Sequence, residues 1–140
     1  MESYNRDTKT ARLVVLQRNN SVNQSLILFD GIAQIATKNG LLLAYKESEQ
    51  RSVEVLQLSA DTLQIISSNN GEKVTTRILC VRHDLAPVEI SQAFGTLHFK
   101  TYTHALDFGQ NALHVAYDVV VDEEVVDGFS MEWKWEECSA

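Results

Sequence analysis

The stretch Leu97 to His104, LHFKTYTH, places two histidines, a lysine and a tyrosine at every second position. Imidazoles bind metals and move protons near neutral pH, so the pattern is read first for chemistry. In an extended chain His98, Lys100, Tyr102 and His104 share one face, and Leu97, Phe99, Thr101 and Thr103 share the other. His98 and His104 then stand roughly 20 Å apart, too far to share an ion. His114, on the next alternating run, is a nearer partner. A hairpin turning around Gly109 sets Phe99 opposite Val119, Thr101 opposite Tyr117, Thr103 opposite Val115 and Lys100 opposite Asp118. The same register brings His104 opposite His114, with Cβ atoms about 5 Å apart. This surface pair is the metal candidate of the sequence, but a zinc site needs at least a third protein ligand. The neighbours Tyr102, Leu106, Ala112 and Ala116 supply none. The expectation is a solvated histidine pair, no functional metal and no cofactor.

The other reactive residues form no constellation. His83-Asp84 has the residue types of a metal phosphohydrolase dyad without the further ligands or helices. Asp122, Glu123 and Glu124, with Asp127, lack the spaced oxygens and the glycine of a calcium loop. Ser130 has no histidine paired to it, and no GxSxG, glycine-rich phosphate loop, HExxH or CxxC occurs. Cys80 and Cys138 are expected to be reduced, one in a strand and one near the tail. The chain is therefore expected not to be an enzyme.

The elements that position these residues read as strands. Apolar and polar residues alternate through Thr10 to Gln17, Gln24 to Ala36, Leu41 to Lys46, Ser52 to Leu58, Thr62 to Ser67, Lys73 to Val81, Gly95 to Leu106, Ala112 to Val121 and Gly128 to Trp135. Asn39-Gly40 predicts a type I′ hairpin because both residues tolerate positive φ, and Ser67 to Gly71 predicts a second tight connection. Asp107 to Asn111 and Asp122 to Glu124 read as two more hairpin loops. The segment Val81 to Ala93, with the single proline, reads as a longer loop with room for one helical turn. Loops this short leave no space for crossover helices, so the sheet is antiparallel. An up-and-down meander of eight to nine strands hides its edges by closing into a barrel. With 140 residues and 44% hydrophobic composition, one domain spanning 1–140 is expected, with 1–8 as a flexible arm.

Alternation also assigns the interior. Tyr45, Phe99, Thr101, Tyr117, Met131 and Trp133 fall on the inward face, with Phe129 and Trp135. Read as structure they are core; read functionally, the hydroxyls of Tyr45, Thr101 and Tyr117 are polar groups in an apolar pocket for a small apolar or amphipathic molecule. A rival reading takes the outer face, softened by Val120, Ala116 and Tyr102, as a protein-interaction surface. Twelve basic against nineteen acidic residues, net −7, repel phosphate backbones and anionic lipids, so neither nucleic acid nor a membrane is an expected partner. The start MESYNRDTKT has no apolar leader core, and no apolar run is long enough to span a bilayer as a helix, so the cytoplasm is the expected compartment.

The residues F94-G-T-L-H-F-K-T-Y-T103, A112-L-H-V-A-Y-D-V-V-V121 and G128-F-S-M-E-W133 resemble the YwiB-like domain of unknown function of Gram-positive bacteria. Its pattern is a Phe-Gly-x-Leu-x-(apolar)-x-Thr-x-Thr strand, an Ala-Tyr-Asp strand and a closing apolar-alternating strand. Leu41 to Glu47 and Ser52 to Ser59 look like its third and fourth strands. The resemblance implies a calycin-like barrel, similar in shape to lipocalins and fatty-acid-binding proteins. The family tends to carry Arg and Gly after strand five, and here I66-S-S-N-N-G71 lacks the Arg. The family has no established catalytic residues, so none is implied.

Overall fold

The computed structural model describes residues 8–138. Ten strands form a closed barrel: β1 (Lys9–Asn19), β2 (Gln24–Ala36), β3 (Leu42–Lys46), β4 (Arg51–Ser59), β5 (Thr62–Asn69), β6 (Val74–Val81), β7 (Leu85–Gln92), β8 (Gly95–Gly109), β9 (Ala112–Val121) and β10 (Glu124–Glu137). Each strand pairs with the next in sequence, and β1 closes the sheet against β10. Every pairing between these strands is antiparallel. Among the described residues no helix is long and apolar enough to cross a membrane. Apart from Thr8, the expected arm at 1–8 lies outside the described residues.

Turn chemistry sets the hairpins. Asn39 and Gly40 have φ of 62° and 102°, the double positive φ that a type I′ turn needs. Asp122 and Glu123 do the same at 51° and 68° without a glycine. The β8–β9 turn is shorter than expected. Gly109 pairs with Ala112, leaving Gln110 and Asn111 to reverse the chain.

The meander has one strand more than the nine alternating runs: Val81 to Ala93 holds β7 rather than a loop with a helical turn. Pro87 explains why this strand escapes notice, and the structure shows how it is accommodated. Pairing of β7 with β6 ends at Val88 opposite Ile78, while on its other side Pro87 still lies beside Lys100 of β8. A proline has no N–H to offer a ladder. The carbonyl of Leu79, where a continued ladder would meet Pro87, is served instead by the Thr101 hydroxyl at 2.8 Å.

The inward residues form two layers. Towards the β4–β5, β6–β7 and β8–β9 turns, Ala11, Leu13, Leu43, Val55, Leu63, Cys80, Leu106, Leu113, Val115 and Trp133 are all 0% exposed. Towards the β1–β2, β7–β8 and β9–β10 turns, the inward Phe29, Ile78, Ile90, Phe99, Val119 and Phe129 are only half buried. Leu26 and Leu97 beyond them are 51% and 53% exposed. The more deeply buried end is the floor and the other the mouth. The wall also has a slot, because β3 pairs only with Gln34, Ile35 and Ala36 of β2. Among the described residues, the longer first part of β2 has no strand paired with it on that side.

Candidate functional site

The site is built from strand positions two apart, which alternation turns to the same face. The structure places Tyr45, Thr101, Tyr117, Met131 and Trp133 inside the barrel and buried, and Phe99 inside but half buried nearer the mouth. Between floor and mouth Trp133 Nε1 donates to Tyr45 Oη at 3.0 Å, joining β10 to β3 across the interior. The Phe29 ring lies 4.8 Å from the Tyr45 ring. Gly31 makes room for it, since a Cβ there would stand 2.9 Å from the Phe29 ring. Tyr117 packs against Phe129 with ring centroids 5.9 Å apart, and Gln17 Nε2 reaches Met131 Sδ at 3.3 Å.

A polar island sits among these rings. Thr101 and Thr103 are 1% and 0% exposed, with Cys80 at 0% across from them. The Thr101 hydroxyl is used on Leu79. The Thr103 hydroxyl is buried with no hydrogen-bond partner of good geometry; its polar neighbour is the Cys80 thiol. Burial pushes that thiol up to about 11, against weaker lowering by Thr103 and Thr101, so it is protonated at neutral pH and a poor nucleophile. Burial likewise raises the Tyr45 and Tyr117 hydroxyls, and nearby Cys80 and Asp127 raise Tyr117 further. These groups are neutral hydrogen-bonding partners in an apolar surround.

Charge is confined to the rim. Arg51 joins Glu47 at 3.1 Å and the Ser67 hydroxyl at 3.1 Å, and burial raises the Glu47 carboxyl. Asp127 is held low by the Ser21 hydroxyl and by the Gly128 and Asn19 N–H groups. Together these bonds tie the β1–β2 turn to β10.

The expected His104–His114 pair is corrected. In its lower half the β8–β9 register sets Thr103 opposite Tyr117, two residues from the expected alignment, and it then slips by one more around His104. The slip is a bulge, and it keeps Leu106 and Phe108 inward after Thr101 and Thr103. His104 Nε2 meets Asp118 at 2.7 Å, and His114 stands opposite Asp107 with its ring 3.7 Å from that carboxylate. The two histidines serve different acids. No group of three His, Cys, Asp or Glu that could hold a metal occurs among the described residues. The same alternation leads one to expect Tyr117 opposite Met131 and Leu113 opposite Trp135 in the β9–β10 hairpin, and there too the register is shifted by two, with Tyr117 opposite Phe129 and Leu113 opposite Trp133; inward and outward faces are unchanged because the shift is even. Lys100 faces Val120 rather than Asp118, which pairs with Tyr102. His83, at φ 58°, and Asp84 make a turn, with His83 N–H donating to the Thr103 carbonyl at 2.8 Å. Cys80 and Cys138 are free thiols.

Sequence reasoning left out Phe29, Ile78, Cys80 and Thr103 as lining residues. Phe29 had a signal in Gly31 two positions on, the spacing at which a strand glycine accepts a neighbouring ring. Cys80 and Ile78 had one in the alternation Val74, Thr76, Ile78, Cys80.

No family model matches the chain, and no curated protein matches it. The crystal structure of ywiB protein from Bacillus subtilis is similar to it, with a TM-score of 0.71 at 18% identity over 94% of each chain. The chain thus has a YwiB-like fold.

Proposed function

We propose that the protein is a non-enzymatic binding protein that takes a small apolar or amphipathic molecule into the open end of its barrel. One observation carries the reading: inward Phe29, Ile78, Phe99, Val119 and Phe129 are apolar yet only partly buried, above a layer of fully buried side chains. Barrel diameter grows roughly linearly with strand number, and about eight strands is the width that side chains just fill. Ten strands, about a quarter more, make a wider barrel than that, which favours room for a ligand at the less buried end. Tyr117, packed against Phe129 of this ring, is the polar side chain placed to orient a ligand in such a pocket. Kinship of shape with calycin-like barrels supports the reading only as an analogy. Lack of a nucleophile, base and orienter set favours binding over catalysis, and the cytoplasm is the compartment proposed.

The test is native mass spectrometry of gently purified protein, with an 8-anilinonaphthalene-1-sulfonate fluorescence titration. A co-purifying species, or saturable one-to-one dye binding lost in Val119→Arg and Ile78→Arg, supports the proposal. Neither a bound species nor saturable binding, with the variants folded, overturns it.

A further inference from the structure

A second surface stands outside the barrel, where β8 outruns its neighbour. Pairing of β8 with β9 begins at Lys100 opposite Val120, and β9 turns away after Val121 to pair with Glu124. Gly95 to Phe99 are paired with β7 on one side, and no described residue pairs with them on the other. A free strand edge offers a row of unpaired N–H and C=O groups. Beside it lies a groove of about 850 Å³, with Leu85, Pro87, Tyr102, Val120 and Val125 among its lining. Leu85 and Val125 are 49% and 63% exposed. The charged groups on the same groove are Asp84, Asp118, Asp122 and Glu123 against Lys100, with His98. Four carboxylates against one full cation make it acidic.

We infer that this edge and groove form a docking site for an extended peptide segment of a partner protein, one that alternates basic and apolar residues. The backbone of the segment would extend the sheet along Gly95 to Phe99. Its apolar side chains would enter the groove between Leu85, Tyr102 and Val125, and its cations would face Asp122 and Glu123. Strand addition takes affinity from main-chain bonds and specificity from alternate side chains, and opposite charge across the contact selects the partner and speeds encounter. The free part of β2 is a longer edge, but its single acid, Asp30, is bound to Arg12 at 3.0 Å, so no charge there selects a partner.

The test uses fluorescein-labelled synthetic octapeptides in polarisation titrations at low salt. A Lys/Val-alternating peptide should bind, a Glu/Val-alternating one should not, and N-methylation of alternate amides should weaken binding at least tenfold. Val125→Lys and Asp122→Lys/Glu123→Lys should each weaken it similarly while leaving the thermal midpoint of the exposed hairpin variants near that of the parent. Equal binding of acidic and basic peptides, indifference to N-methylation, or no binding of any peptide overturns the proposal. So does light scattering that shows a dimer abolished by Val125→Lys, which would assign the surface to a second copy.

Discussion

Thr101 and Thr103 are two residues apart on β8, both buried, and their replacement by valine should move stability in opposite directions. Valine keeps the shape and removes only the hydroxyl. At Thr101 the lost group is the donor to the Leu79 carbonyl, which Pro87 cannot serve because it has no N–H. Thr101→Val therefore leaves a buried acceptor orphaned and should cost about 1 to 3 kcal/mol. At Thr103 the lost group is a buried hydroxyl without a good partner, whose desolvation cost is of the same order. Thr103→Val removes that cost, less the weak contact with the Cys80 thiol, and should gain about 1 kcal/mol. With an urea m-value of about 2 kcal/mol/M, the unfolding midpoint should fall by roughly 0.5 to 1.5 M for Thr101→Val. It should rise by roughly 0.5 M for Thr103→Val. Equilibrium urea unfolding followed by tryptophan fluorescence reads both. Equal destabilisation by the two variants would refute the reasoning, since it would mean that Thr103 holds a bond as good as that of Thr101.

Four further outcomes are expected. Cys80 ionises near 9 when unfolded and about 11 when folded, so its contribution to stability is full below pH 9 and is lost as pH rises through 11. At about 1.4 kcal/mol per unit that is roughly 3 kcal/mol; denaturation between pH 8 and 11 should show the drop, and Cys80→Ala should make it shallower, the raised Tyr45 and Tyr117 supplying the rest. Gly31→Ala should force the Phe29 ring off Tyr45 at a cost of about 1 to 2 kcal/mol, read in the same urea assay, and an unchanged midpoint would show that the ring has free space. Glu123→Gly relieves a positive φ on a side-chain-bearing residue and should stabilise by about 0.5 to 1 kcal/mol, seen as a raised melting temperature. Zinc or nickel should leave the melting temperature of the parent protein unchanged, because His104 and His114 serve separate acids; a rise would report a metal site.

Most strands were legible because alternation is a local property, and the division into inward and outward residues holds at Phe99, Thr101, Tyr117, Met131 and Trp133. Register was less legible because it depends on which two residues turn. Placing the β8–β9 reversal around Gly109 instead of at Gln110-Asn111 misaligns that hairpin, the β9–β10 hairpin turns on Asp122-Glu123 with a bulge after Val125, and no pattern announces the slip near His104 that keeps the apolar face inward. The seventh strand was hidden by Pro87, although Ala86, Val88 and Ile90 alternate inward around it. A proline argues against a central strand unless the pairing it would break has already stopped, and here β6 lets go one residue earlier.

That hidden strand changes what the aromatic residues mean. In a barrel of eight strands, Tyr45, Tyr117, Trp133 and Trp135 would be filling. In one of ten they span the floor and the middle of the interior, and β10 alone carries the profile. Its inward positions from mouth to floor are Asp127, Phe129, Met131, Trp133 and Trp135: the first two half buried, the rest 8%, 0% and 7% exposed. The neighbouring strand repeats it, from exposed Val121 and half-buried Val119 to Tyr117 at 7% and then Val115 and Leu113 at 0%. β8 does the same from Leu97 at 53% through half-buried Phe99 to Thr101 at 1% and Leu106 at 0%. Three adjacent strands graded in the same sense make a wall that is mostly apolar and fully buried only towards its base. Each further Å² of apolar surface buried would be worth about 25 cal/mol, and the partly buried ring of Phe29, Ile78, Phe99, Val119 and Phe129 is the surface that the proposed ligand would cover.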